Sequence, residues 1–318
     1  MATIPLPLDG SLPRQCQFGA AAIGNFDGVH LGHQALLAET VRQATLCAGP
    51  PVVVTFSPHP LQLLRPASFQ PELTSLSERA ELLHRYGAEH VVVLQTTPAL
   101  LHLSAREFFD QIICDRLRAR AIVEGYNFGF GRGREGTVAA LQIMGKERNV
   151  AVVLVPRVEM SSAAGLTDNA RIPVSSSRIR NELLTGKVAL ASTLLGRPFR
   201  LTGVVKAGQK RGQTLGFPTA NLEEVATLVP GDGVYAATVD HQGKTWPAAV
   251  NIGPNPTFGE AARKIEAHLI GFTGDLYGQT LSLDFIERVR DTRPFAGVPE
   301  LKKQLVNDVA RTLQIVTK

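Results

Sequence analysis

The chain has 318 residues, 44% hydrophobic and 19% charged, with a formal net charge of +5: enough length for two domains with separate cores, and the composition of an ordinary globular protein. The mildly basic balance suits anionic small ligands such as nucleotides, but no dense Lys/Arg run is present to mark a nucleic-acid surface. Cys16, Cys47 and Cys114 form no CxxC pair, which argues against a thiolate zinc site or a disulfide framework and for reduced thiols in the cytoplasm. The first residues lack the charged start and apolar run of a signal peptide, and no stretch reaches the roughly 20 apolar residues of a membrane span.

In chain order, short apolar runs at 18–23, 52–56, 90–94, 121–124 and 150–155 predict strands, and longer amphipathic stretches at 31–45, 76–86 and 105–117 predict helices between them. Fully apolar short strands alternating with helices make a parallel sheet covered on both faces. Residues 1–185 are therefore read as an open, doubly wound α/β domain, whose ligands bind beyond the carboxyl ends of the strands. The rhythm changes near 185–187. Short runs at 201–206, 234–240, 245–250, 264–271 and 280–287, separated by Gly, Pro and Asn turns, predict an antiparallel barrel in a second domain, 186–318. Leu301, Leu305, Val309 and Leu313, four apart within 298–316, predict an amphipathic terminal helix packed on that barrel through those residues.

Directly after the first predicted strand comes GNFDGVHLGHQ, with glycines at Gly24, Gly28 and Gly32 and histidines at His30 and His33. Glycines let the backbone approach a ligand. Histidines three apart at a helix start face one side, where free N–H groups and the helix dipole favour an anion. Two imidazoles placed there can donate hydrogen bonds to phosphate oxygens, stabilising charge that develops on a phosphorus under attack. A plain helix cap with two incidental histidines is the competing reading of the spacing alone. A second element, Val174 to Arg180, reads VSSSRIR. Its serines can cap a helix, and Arg178 and Arg180 place cations in the first turn, against the dipole, so an anion is expected beside them.

In the second half, KRGQTLGFPTANL runs from Lys210 to Leu222. Gly212 and Gly216 allow a tight loop whose amides can cradle phosphate. Thr219 and Asn221, two apart, share a face of an extended strand and offer neutral oxygens suited to Mg²⁺ bridged to ATP. In the strand KIEAHLIGF, Ile265, Ala267 and Leu269 face one way and Lys264, Glu266 and His268 the other. On composition alone, these are a turn leading to a strand and a solvated carboxylate.

Together, His30-Leu31-Gly32-His33 and Val174-Ser175-Ser176-Ser177-Arg178-Ile179-Arg180 resemble the HxGH and ISSTxIR-type motifs of the nucleotidylyltransferase superfamily. TFSPHP (Thr55 to Pro60) and GYNFGFGRGREG (Gly125 to Gly136) look like the flavin-side loops of prokaryotic FAD synthetases. GFPTAN, followed by an E-x-H-L strand and then DLYG, resembles riboflavin kinase. The chain from Phe18 to about Thr312 is thus similar to the bifunctional bacterial riboflavin kinase/FMN adenylyltransferases. That resemblance implies a Rossmann-like nucleotidylyltransferase domain followed by a six-stranded antiparallel riboflavin-kinase barrel with a C-terminal helix. It implies ATP-dependent, Mg²⁺-requiring conversion of riboflavin to FMN and of FMN to FAD, at two separate sites. For adenylyl transfer it implies His30 and His33 as catalytic residues. It also implies Gly24, Asn25, Phe26, Asp27, Gly32, Ser176, Ser177, Arg178 and Arg180 on ATP, and Phe56, Pro58, His59, Asn127 and Phe128 on the flavin. For the kinase it implies Glu266 as general base, with Gly208, Gly212, Gly216, Phe217, Pro218, Thr219, Asn221 and Asn251 on ATP or flavin and Thr219 and Asn221 on the metal. The VNIGPNPTF stretch from Val250 to Phe258 is expected to shape the nucleotide pocket, and the protein to be a monomer or weak homo-oligomer.

Two stretches depart from the family pattern. Asn127-Phe128-Gly129-Phe130-Gly131 stands where members often carry Asp-Phe-Arg-Phe-Gly, and Gly208-Gln209-Lys210-Arg211-Gly212 where they often carry Gly-Asp-Gly-Arg-Gly. Two other readings remain open: an enzyme retaining only one of the activities, and a flavin- or RNA-binding barrel without turnover. The latter needs Lys/Arg with exposed aromatics along one face, and aromatics are 6% of the chain with no such cluster.

Overall fold

The structure is a computed structural model that describes residues 2–161, 171–208, 211–255 and 260–317. Gln209, Lys210 and residues 256–258 of the motifs above lie outside the described residues. The chain divides into two compact units: Met1–Gln70 with Ser75–Val174, and Pro71–Thr74 with Ser175–Lys318.

In the first unit, β1 (Ala2–Leu6), β2 (Ala20–Ile23), β3 (Pro51–Ser57), β4 (His90–Gln95), β5 (Ala121–Gly125) and β6 (Ala151–Val155) form a parallel sheet in the order β1-β4-β3-β2-β5-β6. Its helices are α1 (Leu31–Leu46), α2 (Pro60–Leu64), α3 (Leu76–Arg85), α4 (Pro98–His102), α5 (Ala105–Phe108) and α6 (Val138–Glu147). The expected helix over 105–117 is α5 continued by a π-helical stretch, Phe109–Arg116. Successive side chains of a strand enter opposite faces. Val52 and Val54 accordingly join one core with Phe108, Phe109 and Ile112, while Val53 joins another with Leu37, Leu82 and Leu83. Two cores, one on each face, explain why the strands read as unbroken apolar runs. β1 escaped the sequence reading because Pro5 interrupts it; the sheet tolerates that proline because β1 is an edge strand, paired only with β4. A short antiparallel ribbon, β7 (Glu159–Ser161) with β8 (Arg171–Pro173), ends the unit.

The second unit starts with α7 (Ser176–Leu184) and α8 (Val188–Leu195), followed by β9 (Phe199–Lys206), α9 (Arg211–Leu215), β10 (Ala220–Glu223), β11 (Gly233–His241), β12 (Lys244–Asn255), β13 (Glu260–Leu269), β14 (Thr280–Arg290) and α10 (Val298–Val316). The six strands close into a barrel in the order β10-β13-β12-β11-β14-β9, filled by Leu201, Tyr235, Val250, Ala267, Leu283 and Phe285, all fully buried. The compact units part at Val174/Ser175, whereas the change of sequence rhythm put the division at 185/186. Residues 175–184 pack with the barrel: Leu183 O accepts from Gly231 N at 2.9 Å, and a Cβ at Gly231 would stand 2.3 Å from Leu184 O.

The terminal helix has the expected bounds, and its buried face is shifted from the expected one: Leu301, Leu305 and Val309 are half-buried. Asp308, Thr312 and Ile315 are buried, while Leu313 is 37% exposed. The reason is ionic. Arg290 of β14 makes three contacts with the Asp308 carboxylate, at 2.9, 3.1 and 2.7 Å, and this pair turns Asp308 inward. Removing one partner of a buried pair strands the other charge. Arg290→Met is therefore expected to cost about 3–5 kcal/mol in urea denaturation, and Arg290→Met with Asp308→Leu less than either change alone; a single-variant loss below about 1 kcal/mol would show the pair to be solvated.

Candidate active sites

Strand order reverses between β2 and β5, the switch point where doubly wound sheets take ligands. The turn leaving β2 is held open there. Gly24 N donates to Val54 O at 3.0 Å, after which Phe26 (φ 48°) and Val29 (φ 40°) adopt left-handed conformations, unusual for any residue and strained for a β-branched one. Tertiary contacts impose them. Phe26 and Val29 are buried in the core beneath α1. The buried Arg79 of α3 donates Nη1 to Asn25 O at 3.0 Å and to Thr55 Oγ1 at 3.4 Å, and Thr55 Oγ1 donates to Asn25 O at 3.1 Å.

His30 caps α1, its Nδ1 accepting from His33 N at 3.2 Å. Nδ1 therefore carries a lone pair, and the proton of the neutral ring lies on Nε2. The two imidazoles stack at 3.6 Å and 13°, and the Phe26 ring lies 5.1 Å from His33. Gly32 keeps the space between the histidines tight, since a Cβ there would stand 3.1 Å from His30 Cε1 and push the ring. Burial, then the neighbouring His30 and Arg79, hold His33 well below the usual imidazole range, so it is neutral at physiological pH. Its buried Nδ1 has no hydrogen-bond partner among the described residues. A stacked pair at a helix N-terminus, with His33 neutral, acts on an anion by directed hydrogen bonds, while the dipole and Arg79 supply positive potential. Asp27 is buried in the same turn.

The expected flavin-side residues follow β3 and β5, the strands on either side of β2. Phe56 is half-buried against the sheet core and Pro58 is exposed, after a cis peptide bond. His59 is buried, its Nδ1 accepting from Leu61 N at 3.1 Å to cap α2, with its ring 5.4 Å from Phe69. Asn127 is exposed on the loop after β5, and Phe128 stacks on Phe130 at 5.5 Å and 15°. Two residues in this region were not singled out from the sequence. Arg79 lies on one helical face with Leu82 and Leu83, a cation within a core-facing stripe. Glu124 is a carboxyl inside an apolar strand; it is 2% exposed and accepts from Ile23 N at 2.8 Å. Both carried a legible signal, a charge at an apolar position.

In the second unit, Ser175 caps α7 as expected, accepting from Arg178 N at 3.3 Å. The anion expected beside Arg178 is supplied within the helix: its Nε meets the buried Glu182 carboxylate at 2.6 Å. Arg180 Nε donates to Pro71 O at 3.3 Å. Ser176 and Ser177 form the first turn.

The barrel brings its own candidates together through strand register. Asn221 of β10 and Asn251 of β12 each stand opposite Glu266 of β13, so three polar side chains lie abreast, about 5 Å apart, on one face. Ile265, Ala267 and Leu269 are buried on the other face, as the alternation predicts. A Cβ at Gly208 would stand 2.1 Å from Asn221 Nδ2, and one at Gly212 3.2 Å from Thr219 Oγ1. The 211–216 stretch is a turn of helix where a tight, phosphate-cradling loop was expected. Gly212 lies in the one-turn helix α9, Gly216 N donates to Gln213 O and Phe217 N to Gly212 O, so those two amides are engaged within the turn. Pro218 O takes His268 Nδ1 at 2.8 Å, and the Phe217 ring meets His268 edge-on at 5.5 Å. Among the described residues no group of three or more His, Cys, Asp or Glu is placed to hold a metal ion. The oxygens of Thr219 and Asn221, beside one carboxylate, fit a hard cation that takes its remaining ligands from phosphate and water.

The family model for FAD synthetase matches residues 13–165, and that for riboflavin kinase matches residues 195–316. The bifunctional riboflavin kinase/FMN adenylyltransferase of Pseudomonas fluorescens is 38% identical over 291 residues, covering 91% of this chain and 90% of its own. The proteins of the same name from Escherichia coli K12 and Bacillus subtilis are each 34% identical, covering 90% of this chain and 89% of theirs. A crystal structure described as a macrolide-efflux protein from Streptococcus pneumoniae superposes with a TM-score of 0.85 at 32% identity, over 98% of this chain and 99% of its own. Among the described residues no helix is long and apolar enough to cross a membrane.

Burial pushes the Glu124 carboxyl well above its usual range, against the lowering effect of the Ile23 amide. Below about pH 4.5 both folded and unfolded states are protonated there. As pH rises, the unfolded chain ionises first and stability falls until the folded carboxyl also ionises. Glu124→Gln keeps an acceptor and cannot ionise. It is expected to raise the Tm of the first unit at pH 8, measured by calorimetry, with the gain shrinking toward pH 5.

Proposed function

The chain belongs to the bifunctional riboflavin kinase/FMN adenylyltransferase family, and from that premise we propose which of its residues carry each reaction. As a member it phosphorylates riboflavin with ATP to FMN, and transfers AMP from ATP to FMN to give FAD and pyrophosphate. We assign adenylyl transfer to residues 1–185 and phosphorylation to 186–318, keeping α7 with the former on its sequence likeness.

For the kinase, the supporting observation is the register that sets Glu266 between Asn221 and Asn251. The half-buried Glu266 carboxylate is the general base. It takes the proton of the riboflavin 5′-hydroxyl as that oxygen bonds to the γ-phosphorus and ADP departs. Asn251 orients the reacting groups from the other side. Thr219 and Asn221 hold Mg²⁺, which when bound neutralises charge on the phosphates. Gly208 and Gly212 leave room for that arrangement, and Gly216, Phe217 and Pro218 bound it.

For adenylyl transfer, the supporting observation is the stacked His30–His33 pair at the α1 N-terminus, with His33 held neutral by burial. An FMN phosphate oxygen attacks the α-phosphorus and pyrophosphate leaves; His30 Nε2–H and His33 hydrogen-bond the phosphate oxygens as charge builds there. Gly24, Asn25, Phe26, Asp27 and Gly32 shape the ATP side, with Ser176, Ser177, Arg178 and Arg180 serving the leaving phosphates. Phe56, Pro58, His59, Asn127 and Phe128 serve the flavin. Mg²⁺ dependence and a monomer or weak homo-oligomer without nucleic acid belong to the same proposal, as does a cytoplasmic location, with which the free cysteines agree.

Separated substitutions test it. His33→Ala is expected to lower FMN adenylylation about 100-fold or more with riboflavin phosphorylation intact. Glu266→Gln is expected to lower phosphorylation about 100- to 10,000-fold with adenylylation of supplied FMN intact. Chromatographic separation of the flavins reads both, and a folded variant that loses both activities contradicts the assignment.

A further inference from the structure

The parallel ladder between β2 and β5 stops early. The strands pair at Ala20↔Ala121 and Ala21↔Ile122 only, although β2 remains paired with β3 to Ile23↔Val54 and β5 with β6 to Gly125↔Val155. Neighbouring N–H groups of a strand point to opposite sides. Gly24 N goes to Val54 O on β3, so Ile23 N points at β5. There it meets the Glu124 side chain, at 2.8 Å, where a continuing ladder would offer a backbone carbonyl. A carboxyl therefore stands in the seam at the switch point, one residue before the 24–29 turn and two before Tyr126. Tyr126 N and Phe128 N are tied to Val155 O and Gly125 O, so the loop after β5 starts from wherever the seam leaves Gly125.

A buried carboxyl costs desolvation energy that a valine would not. A valine would also let the backbones close up and complete the ladder. A local rule broken at a ligand crevice, with nothing gained in packing, marks a functional constraint. We propose that Glu124 is a positioning residue for adenylyl transfer: by receiving the Ile23 amide it holds β2 and β5 apart and sets the spacing between the His30–His33 turn and the Tyr126–Phe128 loop. This rests on the assignment of adenylyl transfer to that unit. Glu124 touches no reacting atom. It acts through the two loops, each of which keeps its own internal contacts without it. Held neutral by burial, it serves as an acceptor of fixed length, which a glutamine reproduces and an aspartate does not.

Steady-state kinetics of the full chain with FMN, ATP and Mg²⁺ test this, with riboflavin phosphorylation by the same preparations as an internal measure of folding. Glu124→Val is expected to lower kcat for adenylylation about 100-fold, the scale of a 1 Å misplacement, with both KM values within about threefold. Glu124→Gln is expected to keep at least about half the wild-type kcat, and Glu124→Asp to lose it as valine does. A valine variant within about threefold of wild-type kcat overturns the proposal, as does a glutamine variant as impaired as valine, which would mean that the acid proton itself is used. If the valine chain does not fold, the aspartate variant decides, and a near-wild-type kcat there overturns the proposal equally. A wild-type chain that phosphorylates riboflavin but adenylylates no FMN refutes the assignment of the first unit instead.

Discussion

All strands of a parallel sheet end on the same edge, and the first unit is organised by that constraint. Where the order reverses, between β2 and β5, a crevice opens beyond the carboxyl ends of the two strands. The turn carrying His30 and His33 begins there. The loops carrying Phe56 to His59 and Asn127 to Phe128 follow the strands on either side. Topology thus brings these three loops side by side at one edge of the sheet.

The barrel reaches the same end by a different route. Antiparallel register aligns residues from strands far apart in the chain, and a one-residue slip would turn every side chain to the other face. Asn221, Glu266 and Asn251 stand abreast only because β10, β13 and β12 pair in this register. The buried residues between them, Ile265 and Ala267, keep that register by anchoring the inner face. The hydrophobic core of the barrel thus specifies where the Glu266 carboxylate stands.

Buried ionisable groups form a second common thread. Arg79 supports the strained turn at Asn25, Glu124 takes an amide in the β2–β5 seam, Glu182 meets Arg178, and Asp308 meets Arg290. Each carries a desolvation cost and each fixes a geometry that apolar packing would leave free. Two of the four changed a reading of the sequence. Glu182 gives Arg178 an anion within its own helix, and Asp308 is turned inward on α10 while Leu313 faces solvent.

The alternating apolar runs and amphipathic stretches were enough to establish a parallel α/β unit and an antiparallel barrel, because strand and helix periods are local properties of side-chain direction. The turn glycines and the spacing of His30 with His33 were legible for the same reason: a helix N-terminus and its cap are built within a few residues. What the sequence could not decide is long-range. Pro5 hid an edge strand whose place depends on β4, with Ala2 paired to His90 and Leu6 to Leu94 far along the chain. The sequence rhythm divided the chain at 185/186, but the packing of Leu183 and Leu184 against Gly231 joins α7 to the barrel's compact unit. The pairing of Glu124 with Ile23 spans 101 residues, and the meeting of Asn221, Glu266 and Asn251 depends on barrel closure. These are contacts that only the tertiary structure decides, since hydrogen-bond partners and buried counter-charges are chosen by three-dimensional neighbours and leave no period in the chain.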